Sequence, residues 1–413
     1  MKYIYSLIAS VFLFISCEKD SESNRIVEES PLTVLAYLVA ENNLERDLKE
    51  NIRTMFQGLL TMEKSATLII YWDGKSKLGD YSTPVILEYK YDGIGSVNGR
   101  SIDGEFTINE VLEIANIVKS YDEHMSTDKF VMCQVLKDMI NLSPTDRIGI
   151  VAGSHASSWL AASRLSRAFG EENGVNIDIV DMADAISSTG KSFDFILFDA
   201  CYMGSIEVCY DFKEVSSYTI ASVMEIPAYG FPYNLMLKYL YEGCEDGYKK
   251  ACQTYLTYYK ERVDKNISNS WGTITLIDNQ EIDNLTVAIR EEILKHKNIL
   301  KSFDVKSSSL QEYGKLKSPI DYRYVSVDLA QLIKTLNNGV MPELFSNSLQ
   351  ATVVFTGCLT NTSYEEYNVD EENYCGLGIY VPMQGKISWN TYFKTINWYK
   401  DSGWNEVSFD WYF

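Results

Sequence analysis

Five short, almost unbroken apolar runs recur along the chain: LTVLAYLVA at 32–40, ATLIIYWDG at 66–74, RIGIVAG at 147–153, FDFILFDA at 193–200 and SSYTIASVM at 216–224. A strand that is apolar on both faces has to be covered on both, which is the condition of a central, mostly parallel sheet. Helical spacing fills the intervals. Leu44, Leu48, Ile52 and Met55 share one face after the first run, and DKFVMCQVLKDMINL at 128–142 and DMADAISSTG at 181–190 read as helices before the third and fourth. Strands alternating with helices predict an α/β domain of three layers over residues 31–243. PVILEYKY at 84–91 alternates and reads as an edge strand, and residues 92–105 as a turn-rich loop or hairpin. GIGSVNG within that loop lacks the GK[ST] ending of a phosphate loop. Beyond 244 a helix, YKKACQTYLTYYKERV, and the runs WGTITLID, YRYVSVDL, LQATVVFTG and LGIYVPM predict an α+β subdomain, 244–413, that partly extends the sheet.

Charge and composition narrow the function. The 413 residues are 46% hydrophobic and carry a net charge of −20, so the core is ample and nucleic acid is excluded as a partner, since phosphate binding requires a basic face. The first residues, MKYIYSLIASVFLFISC, read as an export signal, with Lys2, a short apolar run and a Ser16-Cys17 ending. FISC resembles a bacterial lipobox with Cys17 as the lipidated residue; Phe14 is a looser fit than Leu, and the alternative is ordinary signal-peptidase cleavage nearby. Residues 18–30, EKDSESNRIVEES, are charged and apolar-poor, the composition of a flexible tether. The expectation is an exported, monomeric lipoprotein held at a membrane on the periplasmic or cell-surface side. Seven cysteines follow Cys17, an odd number that leaves at least one thiol unpaired. They show no CxxC and no Cys/His cluster, so no metal site is expected, and most read as small buried hydrophobes.

Two ends of strands carry chemistry. In GSHASSWL, His155 follows the RIGIVAG strand; in DACYMGS, Cys201 follows the FDFILFDA strand. Ligands of open α/β sheets bind beyond the carboxyl ends of the strands, and one helical crossover between these two makes them neighbours. A thiol beside an imidazole is a nucleophile with its base. GSIEVCYDF reads as a helix whose positive end would lie at Cys201. The backbone N–H groups of Cys201 and of the residue after His155, Ala156, are placed to stabilise an oxyanion. The other histidines, His124 in YDEHMSTD and His296 in EEILKHKN, read as solvated. The alternative for Cys201 is a core residue at a strand end.

An ordered set of segments resembles the clostripain family of cysteine peptidases, which have a caspase-like fold. The segments are LTVLAYLVAENNLERDL, IVAGSHASSWL, FDFILFDACYMGSIEV, SYTIASVMEIPAYGFPY and GLGIYVP, and the nucleophile segment is the most specific. The resemblance implies His155 as general base and Cys201 as nucleophile, an acyl-enzyme, a peptide or protein substrate cut after Arg or Lys, and no cofactor for the chemistry. An amine replacing water as acceptor would give transpeptidation with the same residues. The resemblance also implies that Asp199, two residues before the nucleophile, holds the basic side chain; a carboxylate in a pocket selects a cation by charge pairing. Its other reading is a helix cap. Two positions depart from the family. Ala156 replaces Gly after the His, and Tyr229 stands where the family often has Asp, so the pocket loses a charge and gains a ring. Members are often activated by cleavage between the His and Cys segments, a role suited to the loop 160–176 with Arg164 and Arg167. Some members need calcium; NTSYEEYNVDEEN at 361–373 is acid-rich but lacks EF-hand spacing and reads as a solvated loop. The rival from another class is an inactive relative that binds peptide or glycan, favoured by Ala156 and Tyr229.

Overall fold

A computed structural model describes residues 32–79, 81–160, 168–314 and 324–411; Cys17, the tether, Arg164 and Arg167 lie outside the described residues. All five apolar runs are strands of one sheet: Thr33–Ala40, Ala66–Gly74, Ile148–Gly153, Phe193–Asp199 and Ser216–Ala221. They stand side by side and parallel in the order 66–74, 33–40, 148–153, 193–199, 216–221. Alternate residues divide between two cores. Leu35, Tyr37 and Val39 face one side with Ile150 and Phe198; Val34, Ala36 and Leu38 face the other with Val151 and Leu197. Helices Lys129–Ile140, Ile179–Ser187, Ile206–Phe212 and Ile282–Lys295 cover the first face, and Glu45–Leu59, Tyr233–Leu240 and Glu245–Asp264 the second. The result is a three-layer sandwich of caspase-like type. No helix among the described residues is long and apolar enough to cross a membrane.

Antiparallel strands widen the sheet on both sides. Thr273–Asp278 and then Val353–Cys358 join beyond Ser216–Ala221, so two strands from after residue 244 belong to the main sheet. Val85–Tyr91 joins beyond Ala66–Gly74 but is not an edge: Asn116–Ser120 and the two-residue strand Ser96–Val97 both pair with it. Its residues are buried except Lys90, since strands and the helix layer cover it.

Two further expectations are corrected. The polar stretch after the His segment holds a hairpin, Phe169–Glu172 against Val175–Ile177. His124 and His296 are not solvated: each is partly buried, His124 bonded through Nε2 to the Tyr71 hydroxyl at 2.7 Å and His296 to Asn337 at 3.1 Å. All seven cysteines of the described residues are unpaired; Cys209 and Cys252 are buried, whereas Cys244 is exposed.

Candidate active site

The sheet sets the geometry of the two candidate residues. Asp199 pairs with Gly153 in register, and Ser154 N–H donates to Asp199 O at 3.3 Å. His155 and Cys201 therefore lie two residues past matching points on neighbouring strands, whose spacing is about 4.8 Å. His155 Nε2 bonds to Asn43 Oδ1. An amide oxygen accepts, so Nε2 is the donor of this bond. The His segment is also held from the hairpin side. Gly170 N–H donates to His155 O at 2.9 Å and Ser157 N–H to Ala168 O at 3.2 Å, flanking an Ala156–Phe169 bridge. In that antiparallel pattern the N–H of Ala156 points away from the hairpin.

Cys201 sits on a sharp turn. The next residue, Tyr202, has φ +62°, a conformation costly for an aromatic residue and concentrated at functional sites. Tyr202 N–H donates to Met224 O at 3.0 Å and Gly204 N–H to Ser222 O at 2.7 Å, which pins the turn to the segment after Ser216–Ala221. The helix starts only at Ile206, capped by Ser205. Cys201 thus lies four residues before the cap, not on the helix's first turn, and the thiol takes its contacts elsewhere. Ile226 N–H donates to Cys201 Sγ at 3.4 Å. Burial, and then the Glu225 carboxylate, push the half-buried thiol up to about 12.

Asp199 is buried and engaged. Its Oδ2 accepts from Asn51 Nδ2 at 2.9 Å and from the Tyr233 hydroxyl at 2.8 Å. Burial raises its pKa to about 6, against the lowering effect of the Tyr233 hydroxyl and the Phe231 N–H. Gly230, at φ +67°, closes over it: a Cβ there would stand 2.7 Å from Asp199 Oδ2. Tyr229, next in sequence, is 47% exposed, with the Arg262 guanidinium 4.5 Å from its ring centre. The family-type acid position is thus occupied by a ring that carries a cation of the chain's own.

Sequence reasoning missed Asn43, Glu225, Trp271 and Tyr367. Glu225 Oε1 accepts from the Tyr202 hydroxyl at 2.9 Å, and Oε2 from the hydroxyl of Tyr367. Trp271 Nε1 donates to Glu225 O at 3.0 Å, and its ring stacks on Tyr367 at 4.1 Å. The acids of the stretch 361–373 are exposed, as a solvated loop would have them, while its Tyr367 reaches Glu225 beside the nucleophile. Behind the hairpin lies a second buried cluster. Glu172 Oε2 accepts from Ser126 N–H at 2.6 Å, and the Ser126 hydroxyl bonds to Asp73. Burial raises Asp73 to about 6 and Glu172 to about 8. No group of three or more His, Cys, Asp and Glu side chains among the described residues is arranged to hold a metal.

A caspase-like sheet that presents a thiol and an imidazole past adjacent strands defines the class: the chain is a cysteine peptidase. It belongs to the clostripain family, whose family model matches residues 36–411. The chemistry of this family requires no cofactor. No curated protein matches the chain. Among solved structures, the chain is similar to a secreted C11 cysteine protease from Bacteroides thetaiotaomicron in complex with an irreversible peptide inhibitor. The identity is 24% over 90% of this chain and 99% of that one, with a TM-score of 0.71. It is similar to an inactive zymogen C11 protease from Parabacteroides distasonis at 24% identity, over 90% and 97%, with a TM-score of 0.68. A B. fragilis cysteine protease is 25% identical over 59% of this chain and all of its own length, with a TM-score of 0.51. The first two likenesses speak to the fold alone.

Proposed function

We propose that the chain is an endopeptidase that cuts polypeptides after Arg or Lys through a Cys201–His155 dyad. His155 Nδ1 takes the thiol proton as Sγ adds to the scissile carbonyl carbon. The N–H groups of Cys201 and Ala156 receive the oxyanion. The C–N bond breaks as His155 returns the proton to the amine, and water, deprotonated by His155, hydrolyses the thioester. Asp199 supplies fixed negative charge at the floor of the primary pocket, and Tyr229 forms its rim. Further parts of the reading are activation by cleavage within 160–176, attachment to the membrane by lipid on Cys17, and action as a monomer.

The observation that carries this is the register of Asp199 on Gly153, which brings His155 and Cys201 to matching positions at the end of the sheet. The test uses protein lacking residues 1–17, beside Cys201→Ala, on a mixed peptide library read by mass spectrometry. The expected result is cleavage after Arg or Lys that disappears in the variant. Absence of any cleavage by the intact protein, even after a protease nick within 160–176 and with added calcium, would move the reading to a peptide-binding relative without activity.

A further inference from the structure

Asp199 is the carboxylate that the sequence singles out, and it is the more enclosed of two near the nucleophile. Its carboxylate is buried at 7% exposure and already takes donors from Asn51 and Tyr233. Glu225 also takes two donors, but it is less enclosed. It is half-buried, and it directly precedes Ile226, whose N–H touches Cys201 Sγ. Each of its oxygens accepts one neutral hydroxyl, from Tyr202 and from Tyr367. A carboxylate offers about four acceptor sites, so roughly half of its capacity is unspent. None of the described lysines or arginines forms an ion pair with it.

The surroundings suit a cation. The Tyr202 and Tyr367 hydroxyls donate to the carboxylate and fix it in one orientation, so little freedom is lost when a ligand binds. The stacked pair Trp271 and Tyr367 adds an aromatic wall beside it, and aromatic faces attract ammonium and guanidinium groups. The cation available from the chain itself, Arg262, is held away on the rings of Tyr229 and Tyr258 and on Ser270.

We propose that Glu225 is a specificity-determining residue that pairs directly with a Lys or Arg side chain of the substrate next to the scissile bond, with Tyr202 and Tyr367 as its positioning residues. The inference rests on the reading of the chain as a peptidase acting at Cys201. It adds to the buried charge of Asp199 a direct contact at a less enclosed carboxylate beside the nucleophile, and it gives a role to Tyr367 of the stretch 361–373.

The test separates recognition from catalysis by using Cys201→Ala protein, which binds without turnover. Fluorescent peptides are made in pairs that differ only in Lys against norleucine at each of the four positions around the cut site. Anisotropy gives the Lys-over-norleucine affinity ratio. At one position Cys201→Ala is expected to prefer Lys by roughly tenfold to a hundredfold, the value of a charge-assisted contact. In Cys201→Ala/Glu225→Gln that ratio is expected to fall by roughly fivefold or more. A ratio that survives Glu225→Gln, or no preference for Lys at any position, overturns the proposal. If Glu225 served only to tie Tyr202 to Tyr367, the variant would lose stability and keep the ratio, so thermal melting of both proteins is measured alongside. Lack of cleavage by the protein with Cys201 intact would strike the peptidase reading and leave the binding ratio to decide this one.

Discussion

Gly230→Ala tests how tightly the pocket beneath Cys201 is built. Gly230 has φ +67°, and the left-handed region costs an L-residue with a Cβ about 1–2 kcal/mol. The new methyl would also stand 2.7 Å from Asp199 Oδ2 and 2.8 Å from Asn51 Nδ2, closer than atoms of these types can approach. Something has to give, and the Asn51–Asp199 hydrogen bond lies directly in the way. Its acceptor is ionised at pH 8, two units above about 6, and a hydrogen bond to a charged group contributes about 1.5–3 kcal/mol. The two effects together predict a destabilisation of about 2.5–5 kcal/mol, a large share of the roughly 5–15 kcal/mol typical of a folded protein. Urea unfolding at pH 8 measures it. The same substitution placed in an Asp199→Ala background should cost less by the hydrogen-bond part, because the methyl then has room. A loss below about 0.5 kcal/mol, or full additivity of the two changes, would refute the packing described for this pocket.

Two further expectations follow from the geometry. Asn43→Ala removes the oxygen that fixes the His155 ring, so kcat/KM should fall roughly tenfold to a hundredfold, the scale of a misplaced catalytic group. Its melting temperature should change little, and an unchanged pH–rate profile with full activity would show that Asn43 does not orient the base. Glu172 titrates from an ordinary 4.5 to about 8 through burial first and the Asp73 charge second. A carboxyl raised in the folded state keeps its proton where the unfolded chain has lost it, so stability falls as pH rises from about 4.5 to about 8 and levels off above. Glu172→Gln should flatten that slope in urea midpoints recorded across the range, and an unaltered slope counts against the assignment.

The strands were legible because burial on both faces leaves no polar alternation to confuse with a helix, and the run before Asp199-Ala200-Cys201 is apolar from Phe195 to Phe198. The adjacency of the strands that end before His155 and Cys201 was legible for a related reason: one crossover makes two parallel strands neighbours. What escaped was polar burial. The hairpin 169–177 looks solvated in GEENG, yet Glu172 is 2% exposed, because Ser126 and Asp73 supply partners from distant segments. His296 escaped likewise, since Glu292 lies one turn before it and Asn337 reaches it from another helix. Strand Asn116–Ser120 is mostly exposed and carries no hydrophobic signal. Glu225 could not be singled out, because its meaning comes from Tyr367, 142 residues away.

Electrostatics gives the site its logic. A lone thiol with carboxylates around it stays protonated: burial and Glu225 hold Cys201 near 12, with the Ile226 N–H as a small opposing influence. Two things relieve that state, an imidazole that accepts the proton and a positive charge that offsets Glu225. On the proposed mechanism His155 provides the first. On the reading proposed here, the substrate provides the second, since a Lys or Arg side chain docked on Glu225 cancels the charge that most disfavours the thiolate after burial. Binding and ionisation are then linked, and linkage is reciprocal: what lowers the thiol pKa also tightens the cation. A peptidase arranged in this way keeps its nucleophile quiet in an acidic chain of net charge −20 until a basic polypeptide segment arrives, so the same carboxylate serves selectivity and restraint.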